Sequence, residues 1–127
     1  MILDSTYLID FERECRADEH GPAHDLLQRY ATTRLHIPFA ALGELAAGYP
    51  VSRADFEDAM RPFTVLWPSM DVCWSYAETY RFLRRNGILI PTNDLWIAAT
   101  ALVHAMPVAT RDAEHFRRVP GLEVVAY

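Results

Sequence analysis

The sequence predicts an α/β protein, a three-layer α/β/α sandwich with a central and mainly parallel sheet. Short apolar segments with strand character alternate with longer segments of helical periodicity along the chain. Strands that alternate with helices pair in parallel, since the helices cover both faces of the sheet. The chain has 127 residues, of which 51% are hydrophobic and 23% charged. This is enough for one core, so we expect a single domain over residues 1–127.

The first half of the chain contains three predicted strands and four predicted helices. The strands are Ile2-Leu3, Leu35 to Phe39 and Phe63 to Trp67. The helices run from Ser5 to Arg13, from Pro22 to about Tyr30, from about Ala40 to Ala47, and from Ser52 to Met60. Pro22 suits a first helical turn, and Ser52 with Asp55 resembles a capping box.

The second half begins with the longest predicted helix, from about Asp71 to Asn86, which Gly87 ends. The next helix runs to about Ala105, with Thr92 or Asn93 as its cap. The remaining elements are a strand from Pro107 to Thr110, a short helix from Asp112 to Arg117, and a strand from Glu123 to Ala126.

Composition excludes several classes of protein. No segment reaches the roughly 18 apolar residues of a membrane span. The amino terminus has no basic region followed by an apolar run, so no export signal is visible. Cys15 and Cys73 lack paired spacing, and we expect them to be buried in a reducing environment. The sequence therefore predicts a cytoplasmic protein without a membrane segment.

The charge balance is acidic, with a formal net charge of −5 and a pI near 5.4. This argues against a non-specific nucleic-acid binder. All 12 basic residues are arginine. Codon bias explains this, and so does the fit of guanidinium groups to phosphate and carboxylate. Composition alone does not separate the two explanations.

Two carboxylates follow predicted strands. Asp4 comes directly after the first strand and Asp112 just after the fourth. Each, taken alone, is better explained as a helix cap. Ligands of α/β proteins, however, bind beyond the carboxyl ends of the strands, where both residues fall. Their shared placement indicates a ligand site.

Two further carboxylates interrupt apolar helices. Glu44 lies among small apolar residues, and a solvent-facing glutamate explains it about as well as a functional one. Asp94 opens a helix that is apolar almost all round and therefore predicted to be buried. The helix dipole stabilises such an acid by about 0.3–1 kcal/mol. A buried acid usually also needs a cation or several hydrogen-bond donors.

Four converging acids without basic partners would repel and raise one another's pKa. A divalent cation neutralises such a cluster, and all-oxygen ligands favour Mg²⁺ or Mn²⁺ over zinc. Without these four residues the formal charge of the chain would be −1. The acidic pI is therefore no obstacle to a phosphodiester substrate that arrives with its metal ions.

Four segments together resemble the PIN domain family, and within it the VapC-type toxin nucleases of toxin–antitoxin pairs. The segments are Ile2 to Thr6, Gly43 to Gly48, Gly87 to Ala99, and Ala109 to Phe116, and the closing Val119 to Val124 also fits. The resemblance covers the whole chain in the right order. Thr6 departs from it mildly, since the family more often has Asn or Ser there.

The resemblance implies a Mg²⁺- or Mn²⁺-dependent ribonuclease that cuts single-stranded or loop RNA, forms a homodimer and is inhibited by a cognate antitoxin protein. Asp4 and Asp94 carry over as the central metal ligands, Glu44 as a third and Asp112 as the fourth. Thr6 and Thr110 carry over as hydroxyls that support the ligands.

Two other functions compete with the nuclease. A non-catalytic PIN-like module that binds RNA or protein would be marked by loss of acids, and all four are present. A phosphatase of the Asp-x-Asp type needs an acid at Thr6.

Other side chains are assigned structural roles. His115 lies close to Asp112 in sequence, and we expect it to pack rather than to touch the edge of the site. We expect His20 and His24 to lie on the surface without sharing a face, and Trp67, Trp74 and Trp96 to be core or dimer contacts.

Overall fold

The computed structural model describes residues 1–48 and 51–127. The strands in this part are β1 (Ile2–Leu3), β2 (His36–Pro38), β3 (Thr64–Leu66), β4 (Val108–Thr110) and β5 (Val124–Ala126). The helices are α1 (Ser5–Ala17), α2 (Pro22–Arg29), α3 (Phe39–Gly48), α4 (Arg53–Met60), α5 (Met70–Arg85), α6 (Thr92–Val103) and α7 (Ala113–Arg117). Among the described residues, no helix is both long enough and apolar enough to cross a membrane.

The five strands form one parallel sheet in the order β3-β2-β1-β4-β5, flanked by helices. This confirms the predicted α/β fold with its central parallel sheet. The chain moves outward from β1 to β3 and then returns to place β4 on the other side of β1. The strand order therefore reverses between β1 and β4. In open parallel sheets this reversal opens a crevice at the carboxyl ends of the strands.

The core lies on and around the central strands. Ile2 and Leu3 of β1 and Val108 of β4 are fully buried, as parallel strands covered on both faces must be. Helix α6 buries most of its length, including Ile97 and Ala101, and packs against α5. The prediction from its nearly continuous apolar sequence is thus confirmed.

Helix α6 begins differently from the prediction. Its N-cap residue is Pro91, which makes no side-chain capping bond, and neither Thr92 nor Asn93 caps it. The amide of Asn93 instead donates to Glu44. By contrast, Ser52 caps α4 by accepting a hydrogen bond from the backbone of Asp55, as predicted.

The predictions about the two cysteines and about one pair of histidines were wrong. Cys15 and Cys73 are exposed, because each lies on the solvent side of its helix. The rings of His20 and His24 lie 4.9 Å apart, because the loop before α2 folds back beside its first turn.

Candidate functional site

Asp4 lies at the carboxyl end of β1 and is the N-cap residue of α1. Its Oδ1 accepts a hydrogen bond of 2.7 Å from the backbone N–H of Ser5. Its Oδ2 accepts bonds of 2.8 Å each from the hydroxyls of Thr6 and Thr110. The residue is only 2% exposed. Hydrogen-bond donors from three places in the chain thus support this buried carboxylate.

The two threonines come from neighbouring elements and meet at Asp4. Thr110 is the last residue of β4 and fully buried, whereas Thr6 lies in the first turn of α1. Their hydroxyl oxygens are 3.4 Å apart. The structure therefore places both predicted supporting hydroxyls beside Asp4, at the point where the strand order reverses.

Asp94 lies in the first turn of α6, with a side chain 22% exposed. Burial raises the pKa of its carboxyl above the ordinary value, and the charges of Asp4 and Asp112 raise it further. A hydrogen bond to His115 and the charge of that imidazole act in the opposite direction. Asp94 therefore lies within electrostatic reach of two of the other three predicted acids.

His115 bridges two of these acids, which corrects the packing role predicted for it. Its Nδ1 lies 2.8 Å from Oδ2 of Asp94 and 3.5 Å from Oδ2 of Asp112. The signal for this contact was present in the sequence. Asp112 and His115 are three residues apart, a spacing that brings side chains together on a helix.

Asp112 begins α7 but does not cap it with its side chain. Its backbone N–H donates to the hydroxyl of Thr110 at 3.0 Å, and its side chain is 55% exposed. The capping explanation of this acid is therefore wrong, and the carboxylate is available to a ligand.

Glu44 reaches the start of α6 by a different contact. Its Oε1 accepts a hydrogen bond of 2.6 Å from the amide of Asn93, the residue before Asp94. The groups that shift the pKa of Asp94 do not include Glu44. As the side chains lie, no three His, Cys, Asp or Glu residues in the described ranges form a group that could hold a metal ion.

The donor set nevertheless suits a hard divalent cation. The pKa of Asp94 is raised chiefly by burial and further by the like charges of Asp4 and Asp112. The available ligand atoms are carboxylate oxygens, which Mg²⁺ and Mn²⁺ prefer. The imidazole of His115 is the side chain in contact with both Asp94 and Asp112.

The tryptophans divide between core and surface. Trp96 of α6 packs against Tyr76 and Phe39, with ring centroids 4.1 and 5.8 Å away, as predicted for a core contact. Trp67 and Trp74 are exposed. A core role for these two is wrong, since Trp67 follows the edge strand β3 and Trp74 lies on the outer face of α5.

A parallel sheet with carboxylates at the reversal of its strand order defines an α/β protein with a ligand site at that point. Comparison with known proteins identifies the family. A family model described as the PIN domain matches residues 1–122. The chain belongs to the PIN domain family.

Curated relatives agree with this assignment. Ribonuclease VapC1 from Haemophilus influenzae strain R2866 is 29% identical over 108 residues, which cover 80% of each chain. Ribonuclease VapC1 from Rickettsia felis is 36% identical over 63 residues, which are 50% of this chain and 47% of that relative. The match thus spans about half the length of the Rickettsia protein. Plasmid stability protein StbB from Pseudomonas syringae pv. tomato is 31% identical over 137 residues, covering 98% of this chain and 96% of the relative.

Solved structures show the same fold at lower sequence identity. VapBC2 from Rickettsia felis, bound to a promoter DNA fragment, has a TM-score of 0.82 at 20% identity and covers 99% of this chain and 97% of its own. DNA-bound VapBC from Salmonella typhimurium has a TM-score of 0.83 at 21% identity, with coverage of 98% and 96%.

Proposed function

We propose that this chain is a Mg²⁺- or Mn²⁺-dependent endoribonuclease and the toxin of a type II toxin–antitoxin pair, acting on RNA in the cytoplasm. The observation that carries the proposal is the set of contacts that joins three acids at the strand reversal between β1 and β4: Thr110 hydrogen-bonds to Asp4 and to the backbone of Asp112, and His115 contacts Asp112 and Asp94. The names of the curated relatives, ribonuclease VapC among them, support the same activity.

The residues proposed to hold the metal are Asp4, Asp94, Glu44 and Asp112. When bound, a divalent cation supplies Lewis-acid activation of water and of the phosphodiester. Thr6 and Thr110 hold the carboxylate of Asp4 in one orientation through their hydroxyls. His115 orients Asp94 through the contact at its Nδ1. The proposed hydrolysis needs no serine or cysteine nucleophile.

The purified chain should cut single-stranded RNA only when a divalent metal is present. Cleavage is followed on gels with Mg²⁺, with Mn²⁺, and with either metal plus excess EDTA. Cleavage that appears with metal and stops with chelator supports the nuclease. RNA that is bound but stays intact at saturating Mg²⁺ and Mn²⁺ favours the non-catalytic PIN-like module instead.

We also propose an antitoxin protein as partner, in line with the VapBC complexes among the structural neighbours. The sequence places the large apolar residues Tyr7, Leu8, Ile9 and Phe11 close to Asp4, but Tyr7 and Leu8 are buried in the core and leave little apolar surface there. A larger apolar recess of about 550 Å³ lies between α1, α2 and α4. Its apolar lining residues are Tyr7, Phe11, Leu27, Ala31, Leu35, Ala59, Pro62 and Phe63.

An apolar antitoxin segment fits this recess. We propose that an arginine elsewhere in the antitoxin reaches the acids at the carboxyl ends of the strands and neutralises them. Inhibition would then compete with Mg²⁺ or Mn²⁺. The test is co-expression with the reading frame immediately upstream. Phe11→Ala should weaken the complex, whereas Phe82→Ala, an exposed apolar position on α5, should not. If the small protein neither co-purifies nor suppresses cleavage, this proposal fails and the nuclease proposal does not.

A homodimer is proposed on the exposed apolar side chains around α5. Trp67, Met70 and Trp74 are all exposed, and a second copy of the chain would cover them. Light scattering on the purified chain, with Trp74→Glu beside the unmodified protein, tests this: the unmodified chain should be a dimer and the variant a monomer.

A further inference from the structure

We propose that Arg13 and Arg111 bind a backbone phosphate of the RNA next to the bond that is cut. The two arginines line a recess of about 220 Å³ together with Asp10, Glu14, Pro22 and Tyr127. The proposal rests on the proposed ribonuclease function. It adds to that function a site where the RNA strand is bound by residues other than the metal ligands.

Arg111 is positioned by a buried acid. Its Nη1 donates to Oδ1 of Asp10 at 2.9 Å, and the hydroxyl of Tyr127 donates to the other oxygen, Oδ2, at 3.1 Å. Asp10 is only 8% exposed, whereas the Arg111 side chain is 58% exposed. One N–H of the guanidinium is therefore fixed, and the rest of its planar fork faces the recess and solvent. A pre-oriented fork of this kind suits a phosphate group.

The recess has no net formal charge, since Arg13 and Arg111 are balanced by Asp10 and Glu14, but the two arginines differ in their partners. Asp10 neutralises Arg111. Glu14 is already occupied, since its carboxylate accepts hydrogen bonds from the backbones of Ala23 and His24 and contacts Nδ1 of His24. Arg13 is exposed and has no ion pair in the described ranges of the chain. Arg13 is therefore free to pair with the single negative charge of a phosphodiester.

Hydrogen bonds connect the recess to the acid cluster, which consists of Asp4, Asp94 and Asp112. The Thr6 hydroxyl donates to Asp4, accepts a hydrogen bond of 3.4 Å from the backbone of Arg111, and also contacts the phenol of Tyr127. Arg111 itself stands between Thr110 and Asp112 in sequence. An RNA strand whose scissile phosphate lies at Asp4, Asp94 and Asp112 therefore places a neighbouring phosphate at the recess.

RNA affinity tests the proposal without any cleavage. Fluorescence anisotropy of a labelled single-stranded RNA is measured in EDTA over a range of salt concentrations. Arg13→Gln and Arg111→Gln should each weaken binding about tenfold. Loss of the phosphate contact should also reduce the slope of log affinity against log salt by about 0.7. Arg111→Lys keeps the charge but loses the fork, so it should bind between Arg111→Gln and the unmodified chain.

The matched control is Arg53→Gln, which removes an exposed arginine that also pairs with a carboxylate, Glu57, at 2.7 Å. It should bind RNA like the unmodified chain. The inference is overturned if Arg13→Gln and Arg111→Gln bind like this control, or if they lose only an antitoxin and keep full RNA affinity. Arg13 is exposed on α1, so its substitution decides the matter even if Arg111→Gln folds poorly. If the unmodified chain neither binds nor cuts RNA, it is the ribonuclease proposal that fails.

Discussion

Asp4 shows how one residue can serve both the fold and the site. Its Oδ1 caps α1 through the backbone of Ser5, and its Oδ2 receives two threonine hydroxyls. The cap fixes where the helix starts, and the threonines fix how the carboxylate points. A cap and a candidate ligand are therefore not alternatives at this position, although the sequence presents them as such.

Thr110→Val should destabilise the fold by about 1–3 kcal/mol, because the isosteric change removes one donor from buried Asp4 and the acceptor for the backbone N–H of Asp112. Thr110→Ser keeps the hydroxyl and should cost less. Urea unfolding of both variants gives the two free energies. Equal stability of the valine and serine variants would mean that the hydroxyl does not support Asp4.

At the scale of elements, the turn between α5 and α6 delivers Asp94 to the site. Gly87 follows α5 with a φ of +68°, and the chain then enters α6 through Pro91. At the other end of α6, Ala105 has a φ of +50° and is exposed. The turns that follow α5 and α6 thus use the same left-handed conformation, once with glycine and once without.

Gly87→Ala should lower the free energy of unfolding by about 1 kcal/mol, because only the backbone strain changes: a Cβ at this position meets no atom within 4 Å. Ala105→Gly is the converse and should raise stability by about 0.5–1 kcal/mol. Thermal or urea unfolding of the two variants shows whether each substitution raises or lowers the free energy of unfolding. A stabilising Gly87→Ala would show that this turn is not held in the left-handed region.

The elements themselves were largely predictable, and their contacts were less so. Alternation of strands and helices predicted the parallel sheet, and the apolar sequence of α6 predicted its burial. The partner of Asn93 was not predictable, since Glu44 is distant in sequence. The contact of His115 with Asp94 was not predicted, because it joins residues on two different helices, α7 and α6. Patterns of local spacing report the faces of elements, whereas side-chain partners depend on how the elements pack.

At the scale of the whole molecule, the acidic charge is concentrated where the sheet reverses its strand order. Asp4, Asp94 and Asp112 interact electrostatically there, while the recess of Arg13 and Arg111 lies beside them. Repulsion among carboxylates costs stability when no cation is present. The fold therefore holds this site together at some expense of its own stability.

Divalent metal should stabilise the folded chain. A ligand at about 100 times its dissociation constant adds roughly 2.7 kcal/mol to the free energy of unfolding. Thermal melts in EDTA and in millimolar Mg²⁺ or Mn²⁺ should differ in midpoint, and Asp94→Asn should reduce the difference. Identical midpoints for the unmodified chain, with no response in a Mn²⁺ titration, would show that the acids do not share a metal.

The central claim is that the acid cluster hydrolyses RNA with a divalent metal, and Asp94→Asn tests it most directly. The amide is a much poorer ligand for Mg²⁺, while the change is nearly isosteric. Asp71→Asn is the matched control, since Asp71 is also an acid in the first turn of a helix, but on the exposed face of α5. Cleavage of single-stranded RNA at saturating Mg²⁺ is measured for both variants, with circular dichroism to verify folding. We expect Asp94→Asn to stay folded and lose most cleavage while Asp71→Asn keeps it; full turnover in folded Asp94→Asn would contradict the account.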